Sequence, residues 1–182
     1  MSDQSSKDEE LAGTEQPFVE HLVELRDRLV KALMAVGLAL AAGGGAALAH
    51  PPWSIWIGLA GYPLLMVLLD RTVSVRGAAG LGWLAGFSYF FVSCWWVAEA
   101  FLVNPDQAWM APFAGSLLPA GLALFWAATG AASHYVARGR GVQRVFLFAA
   151  LFSVFEWLRG HVLGGLPWNP AGATWPAGSA PP

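Results

Sequence analysis

The stretch GAAGLGWLAGFSYFFVSCWWVAEAFLV, residues 77–103, carries a single charged side chain, that of Glu99. A helix needs about 20 apolar residues to cross the hydrocarbon core of a bilayer, so this stretch predicts a membrane-spanning helix. The rest of the chain agrees, since 56% of its 182 residues are hydrophobic, only 12% are charged, and its mean hydropathy is +0.51. Because soluble domains carry about 25% charged residues, the composition indicates a membrane protein.

Four other apolar segments accompany this stretch, so we expect an all-α membrane protein built as a bundle of about five transmembrane helices. The expected spans, within a transmembrane domain of residues 29–175, are about 29–49, 53–69, 77–103, 110–136 and 145–163. The second is barely long enough, and the fifth qualifies only if Glu156 and Arg159 lie near one of its ends. The flanking segments are predicted to be a disordered acidic tail (1–16), a short amphipathic helix (17–31) and a Pro/Gly-rich end (176–182).

Lysine and arginine residues predict the orientation, because cytoplasmic loops carry an excess of them. With the N-terminus in the cytoplasm, nine of the ten basic residues fall inside, and the tenth, Arg159, follows the fifth span. The loops on the other side, around HPP (50–52) and NPDQA (104–108), carry none. We therefore expect a cytoplasmic N-terminus.

Small residues recur every four positions in three of the expected spans, a pattern that lets helices approach closely in lipid. These stripes are Gly37, Ala41 and Gly45, then Ala78, Gly82 and Gly86, then Ala123, Ala127 and Ala131. We interpret them as helix-packing surfaces.

The stretch FEWLRGHVLGGLPWN, residues 155–169, places two charges in an apolar setting. Glu156 and Arg159 are three residues apart, so they share one helical face and are able to pair. Gly160 loosens the backbone after them and Pro167 ends any helix. Two interpretations stay open: a structural ion pair that fixes the loop after the fifth span, or a loop that lines a lipid-headgroup site together with Trp168.

The same stretch resembles the fifth-span motif of the apolipoprotein N-acyltransferase family, E-x-x-R-G followed by P-W. ALAHPPWSIWIGLAGYPLLMVLLD (47–70) is similar to the first hairpin of that family, and GLGWLAGFSYFFVSCWWVAEAFLVNPD (80–106) to its third span. The resemblance covers about residues 43–175. It implies a bacterial inner-membrane protein of lipoprotein maturation, in which an acyl chain passes from a phospholipid to the amino group of an apolipoprotein's diacylglyceryl-cysteine.

In that family the catalytic Glu, Lys and Cys belong to a nitrilase-like domain that follows the membrane spans. No residue here matches them, and Cys94 lies within an expected span. We therefore expect a truncated membrane domain that is inactive alone, with no catalytic residue, cofactor or metal. The expected partners are membrane phospholipid, then apolipoprotein substrate or other membrane helices, and no nucleic acid.

A second resemblance lies in FVEHLVELRDRLVKAL, residues 18–33, which is similar to the N-terminus of TatC, the twin-arginine translocase receptor. It implies that Glu24 and Arg26 contact a signal peptide, since a carboxylate is a good partner for a guanidinium group. Together the two resemblances suggest a hybrid chain, with protein translocation as the alternative function. The simpler alternative is a solvated amphipathic helix held by pairs such as Glu24–Arg28.

Overall fold

The computed structural model describes residues 2–137, 139–162 and 169–174, and every regular element among them is helical. The α-helices are α1 (Ser2–Leu48), α2 (Gly61–Asp70), α3 (Val75–Ser93), α4 (Trp96–Leu102), α5 (Ala111–Val136) and α6 (Gln143–His161). Short 3₁₀ helices lie at Trp56–Ala60, Pro105–Met110 and Ala171–Thr174. The predicted all-α class is therefore confirmed. The chain forms two compact units, Met1–Ala35 and Val36–Pro182.

The first unit consists of the N-terminal part of α1, and it differs from the expected tail and separate amphipathic helix. Helix α1 begins at Ser2 and continues without a break. An acidic residue in the first turn, Asp3, favours a helix N-terminus, and the Leu, Ala, Glu and Gln residues that follow are strong helix formers. From Val19 to Met34 every side chain is exposed, including the apolar residues Leu22, Leu25 and Leu29.

Fewer helices are long and apolar enough to cross a membrane than the five expected. Among the described residues these are Val19–Leu48 and Pro105–Val136, and a third if α3 and α4 form one bent span. The helical segment Trp56–Asp70 is apolar but short. Helix α6 carries three charged residues, Arg144, Glu156 and Arg159, among its 19 residues, which lowers its mean hydropathy.

The expected third span is divided into α3 and α4, which meet at an angle of 53°. The break falls at Cys94 and Trp95, where no proline or glycine marks it in the sequence. A break leaves backbone carbonyls without helical partners, and in a membrane protein these need another donor. The side-chain amide of Asn169 supplies one, since its Nδ2 donates to the carbonyl oxygen of Ser93 at 2.8 Å.

Helices α3 and α5 pack so closely that glycine is required at their contact. A Cβ atom on Gly82 would lie 2.4 Å from the carbonyl oxygen of Trp126, and one on Gly130 would lie 2.4 Å from that of Ala78. Ala78, Gly82 and Gly86 are all buried, as predicted for their stripe. The two helices thus meet backbone to backbone, the arrangement that small residues permit in lipid.

The C-terminal part of α1 packs in the second unit through a different set of small residues from the one predicted. Gly37 has open space around it, whereas a Cβ atom on Gly43 would lie 1.8 Å from the carbonyl oxygen of Ala85 in α3. Ala42 and Ala46 are buried beside Gly43. Because residues 41–47 are seven consecutive small residues, spacing alone could not select the packed face.

At the end of the second unit that contains the α2–α3 loop, polar contacts join three helices. Asp70, the last residue of α2, forms an ion pair with Arg144 in the first turn of α6. Thr72 Oγ1 donates to the carbonyl oxygen of Leu69 at 2.6 Å and lies 3.2 Å from His134 Nδ1 near the end of α5. These contacts tie α2, α5 and α6 together at this end.

Candidate functional site

Glu156 and Arg159 form a buried ion pair on α6. Arg159 Nε lies 3.1 Å from Glu156 Oε1, and Arg159 Nη2 lies 2.8 Å from Oε2, so the guanidinium donates to both carboxylate oxygens. The Arg159 side chain is only 1% exposed and that of Glu156 is 12% exposed. The two charges predicted to share one helical face therefore pair, and they do so with little access to solvent.

Aromatic side chains from α3 and α5 surround this ion pair. Trp126 Nε1 donates to Glu156 Oε1 at 3.2 Å. The guanidinium carbon of Arg159 lies 5.0 Å from the centre of the Phe90 ring, within the range of a cation–π interaction. The carboxylate thus accepts three hydrogen bonds and the guanidinium has an aromatic neighbour, which offsets part of the free-energy cost of burying both charges.

A second buried polar group lies at the ends of α1 and α3 and in the segment after α6. The Tyr89 hydroxyl donates to the backbone carbonyl oxygen of Asn169 at 2.8 Å and also bonds to His50 Nε2. A hydroxyl has one proton to give, so His50 Nε2 carries its own proton and donates it to Tyr89. His50 lies just after α1, and its burial lowers its pKa. The negative charge of Glu156 acts in the opposite direction but is the smaller effect, so the pKa is lowered overall and the neutral imidazole is favoured.

Asn169 connects this group to the bend between α3 and α4. Its φ angle is +42°, in the left-handed region that asparagine tolerates better than most residues. Its side-chain amide donates to the carbonyl oxygen of Ser93, and its backbone carbonyl oxygen accepts from the Tyr89 hydroxyl. The segment after α6 is therefore attached to α3 at two points, beside the buried thiol of Cys94.

The sequence analysis missed four of these residues: His50, Tyr89, Trp126 and Asn169. Their spacing in the sequence gives no signal, because the contacts join residues 30 to 80 positions apart. A side chain with a hydrogen-bonding group inside an apolar span is the one cue that the sequence offers, and Trp126 and Tyr89 both fit it.

The structure says less about the other residues predicted for the loop after the fifth span, Gly160, Pro167 and Trp168. Gly160 does not break α6, which continues to His161, and Pro167 and Trp168 lie outside the described residues. Within the described part of the chain, no group of three or more His, Cys, Asp or Glu side chains could hold a metal ion.

Glu24 and Arg26 are exposed and take part in local ion pairs. Glu24 Oε1 accepts from Arg28 Nη2 at 2.6 Å, which is the expected i,i+4 pair, while Arg26 pairs with its neighbour Asp27 at 2.9 Å. Such exposed pairs contribute about 0–1 kcal/mol. The geometry fits a solvated helix with local ion pairs, and a contact of Glu24 and Arg26 with a signal peptide stays a prediction.

Comparison with known proteins gives a consistent assignment. The family model described as apolipoprotein N-acyltransferase N-terminal domain matches residues 42–180. The chain is 51% identical over 148 residues to the apolipoprotein N-acyltransferase of Caulobacter vibrioides, which covers 79% of this chain and 28% of that protein. It is 37% identical over 163 residues to the Agrobacterium fabrum enzyme, covering 80% of this chain and 31% of that enzyme.

The family model starts at residue 42, after the TatC-like segment, and these relatives give that resemblance no support. The chain spans about 28% of the length of its Caulobacter relative. The match covers the last residues of α1, all of α2 to α6, and both buried polar groups described above. By this evidence the chain belongs to the apolipoprotein N-acyltransferase family and corresponds to its N-terminal domain.

Proposed function

We propose that this chain is the membrane-embedded N-terminal domain of an apolipoprotein N-acyltransferase in the bacterial inner membrane. The observation that carries the proposal is the family match over residues 42–180, reinforced by 51% identity to the Caulobacter vibrioides enzyme. The reaction proposed for the whole enzyme moves an acyl chain from a membrane phospholipid to the amino group of an apolipoprotein's N-terminal diacylglyceryl-cysteine.

The proposed domain crosses the membrane five times. The spans are the C-terminal part of α1, the segment Trp56–Asp70, the bent pair α3–α4, α5 with its preceding 3₁₀ helix, and α6. Helix α6 is compatible with a span because its charges lie towards its ends and are paired, Arg144 with Asp70 and Arg159 with Glu156. Pairing removes much of the free-energy cost of placing such residues in a bilayer.

The proposed orientation places the N-terminus and the Asp70–Arg144 end in the cytoplasm. Arg71, Arg76, Arg140 and Arg144 all lie at this end, in or beside the loops that join α2 to α3 and α5 to α6. The positive-inside rule supports this choice. The opposite end, with His50, Asn169 and the Glu156–Arg159 pair, then faces the periplasm.

In this arrangement the domain's part in the reaction is to hold lipid and to fix the periplasmic ends of its helices. The buried pair Glu156–Arg159 fixes the end of α6 against α3 and α5, and the Tyr89–Asn169 contacts attach the segment that follows it. These groups have structural roles in the proposal, and no catalytic residue is assigned to this chain.

A domain exchange tests the proposed function. We expect that the Caulobacter vibrioides enzyme, with its matching N-terminal segment replaced by residues 42–180 of this chain, still N-acylates a lipoprotein, because the two segments are about half identical. Mass spectrometry of the lipoprotein's N-terminal peptide measures the product. A chimera with the segment from the Agrobacterium fabrum relative is the control. A chimera that is correctly inserted but leaves the amino group free, while the control acylates it, would refute the proposal.

A further inference from the structure

The bend between α3 and α4 leaves one backbone carbonyl without its helical partner. In a continuous helix, the Ser93 carbonyl oxygen would accept from the backbone N–H of Val97, four residues later. That N–H donates instead to the carbonyl oxygen of Cys94 at 3.0 Å, and the N–H of Ala98 donates to that of Trp95 at 3.1 Å. Both are i,i+3 bonds, typical of a tightened turn, so the bend releases the Ser93 oxygen from the helix.

Asn169 contacts α3 through two groups at this point. Its side-chain Nδ2 donates to the Ser93 carbonyl oxygen at 2.8 Å and lies 3.9 Å from Cys94 Sγ. Its backbone carbonyl oxygen accepts from the hydroxyl of Tyr89, one turn earlier on α3, at 2.8 Å. The thiol of Cys94 is only 1% exposed, and the Asn169 amide forms part of its cover.

The bend also sets where α4 lies. The axes of α3 and α4 differ in direction by 53°, and α4 packs beside the start of α5, where a Cβ atom on Gly115 would lie 3.2 Å from that of Ala98. The Ser93 oxygen needs an outside donor only in the bent form, because a continuous helix would satisfy it internally. Asn169 therefore favours the bent form over a straight one.

The segment that contains Asn169 has a defined place in the longer relatives. The family model is that of an N-terminal domain and ends at residue 180, and the match covers only 28% of the Caulobacter vibrioides enzyme. Most of such an enzyme therefore follows this segment. Because Tyr89 and Ser93 hold the segment against α3, they also fix the point from which the rest of the enzyme continues.

We propose that Asn169 is a positioning residue of the acyltransferase, which holds the α3–α4 bend through its amide and the segment after α6 through its backbone carbonyl. The amide contact needs a side chain with a hydrogen-bond donor, and the φ angle of +42° needs a residue that tolerates the left-handed region. Asparagine meets both conditions. The inference rests on the proposed function and adds to it a residue that acts through the geometry of the outer end of the domain.

The reactivity of Cys94, the single cysteine of the chain, tests the amide contact. The full chain in phospholipid vesicles is treated with dithiodipyridine, which modifies thiols in acid as well as at neutral pH. Asn169→Asp keeps the size of the side chain and the tolerance of a positive φ, but a carboxylate cannot donate to the Ser93 oxygen. At neutral pH we expect modification about tenfold faster than in the parent, since losing one hydrogen bond raises the population of a local opening by about that factor.

The pH profile separates the missing donor from a general structural defect. Near the ordinary aspartate pKa of about 4, the side chain of Asn169→Asp becomes a carboxylic acid that can donate, so the rate of Cys94 modification should return towards that of the parent. Each rate is divided by that of the parent at the same pH, which cancels the titration of the groups that both proteins share, His50 and Cys94 among them.

Thr72→Val is the matched control, because it removes a buried, hydrogen-bonded hydroxyl at the opposite end of the second unit. It should leave the Cys94 rate unchanged. Ser133→Cys, at a position on α5 that is 6% exposed, adds a second buried thiol that reports general loosening. Three results would overturn the inference: equal Cys94 rates for Asn169→Asp and the parent at neutral pH, a fast rate that acid does not slow, or equal acceleration at Ser133→Cys.

The chimera with the Caulobacter vibrioides enzyme tests the effect on the reaction. Asn169→Asp in the chimera is expected to slow acyl transfer at neutral pH by at least about tenfold, since a misplacement of about 1 Å can have such an effect, whereas Thr72→Val should not slow it. Unchanged transfer by the Asn169→Asp chimera would refute the positioning role. An inactive unsubstituted chimera would refute the proposed function instead, and the reactivity of Cys94 does not depend on transfer, so the two failures are separable.

Discussion

Arg159→Gln and Glu156→Gln are each expected to lower the free energy of unfolding by about 3–5 kcal/mol, the usual result of breaking a buried ion pair. Arg159 is almost fully buried and gives two hydrogen bonds to the carboxylate. Without it, Glu156 keeps Trp126 as its donor but loses its counter-charge. Without the carboxylate, the guanidinium stays charged, because it cannot be deprotonated in a protein.

The double variant Glu156→Gln/Arg159→Gln is expected to be more stable than either single variant, since no unpaired charge is left and two amides can bond to each other. Unfolding in detergent, followed by tryptophan fluorescence, measures all four proteins in a double-mutant cycle. Arg28→Gln is the control, because it breaks an i,i+4 pair whose side chains are 74% and 57% exposed. It should change stability by no more than about 1 kcal/mol. Additive effects of the two buried changes would show that the charges act independently.

Gly82→Leu is expected to destabilise the second unit by about 3 kcal/mol, at the upper end of the usual penalty for overpacking. The first atom of any side chain at this position would lie 2.4 Å from the carbonyl oxygen of Trp126. That oxygen belongs to the backbone of α5, so it can move away only if the whole helix shifts. The shift would also disturb Trp126, which donates to Glu156.

Gly80→Leu, two residues earlier on α3, provides the comparison. Both changes raise helix propensity by a similar amount, but Gly80 has open space where Gly82 has a helix. The difference between their unfolding temperatures in detergent therefore reports the contact between α3 and α5. If the two variants unfold at the same temperature, these helices do not pack in the way described.

Much of the helical fold could be predicted from the sequence, because it follows from local properties. Long apolar runs gave the positions of α5 and of the C-terminal part of α1, and the stripe at Ala78, Gly82 and Gly86 gave the buried face of α3. The break at Cys94 could not be predicted in this way. The side-chain amide that donates to the Ser93 carbonyl oxygen at the break belongs to Asn169, 76 residues further along the chain. Nothing in the local sequence weakens the helix there.

The candidate site was predictable only in part, for the same reason. Glu156 and Arg159 are close in sequence and on one helical face, so their pairing could be expected. Trp126 and Phe90 complete the surroundings of the pair from two other helices, and His50 reaches Tyr89 from the loop after α1. Apolar spans all resemble one another by composition, so their mutual contacts cannot be derived from composition.

In the proposed membrane placement, the helices of this chain cross the membrane in alternating directions with the Glu156–Arg159 end outside. Cysteine labelling in intact spheroplasts tests it most directly. Val73 and Val103, on either side of the bent pair α3–α4, are 87% and 85% exposed, and Val142, between α5 and α6, is 78% exposed. The native Cys94 is only 1% exposed, so it should contribute little background.

With a membrane-impermeant maleimide, Val103→Cys is expected to react in intact spheroplasts. Val73→Cys and Val142→Cys are expected to react only after the membrane is permeabilised. The reverse pattern would contradict the proposed orientation, and reaction of all three positions from the outside would contradict the crossings themselves.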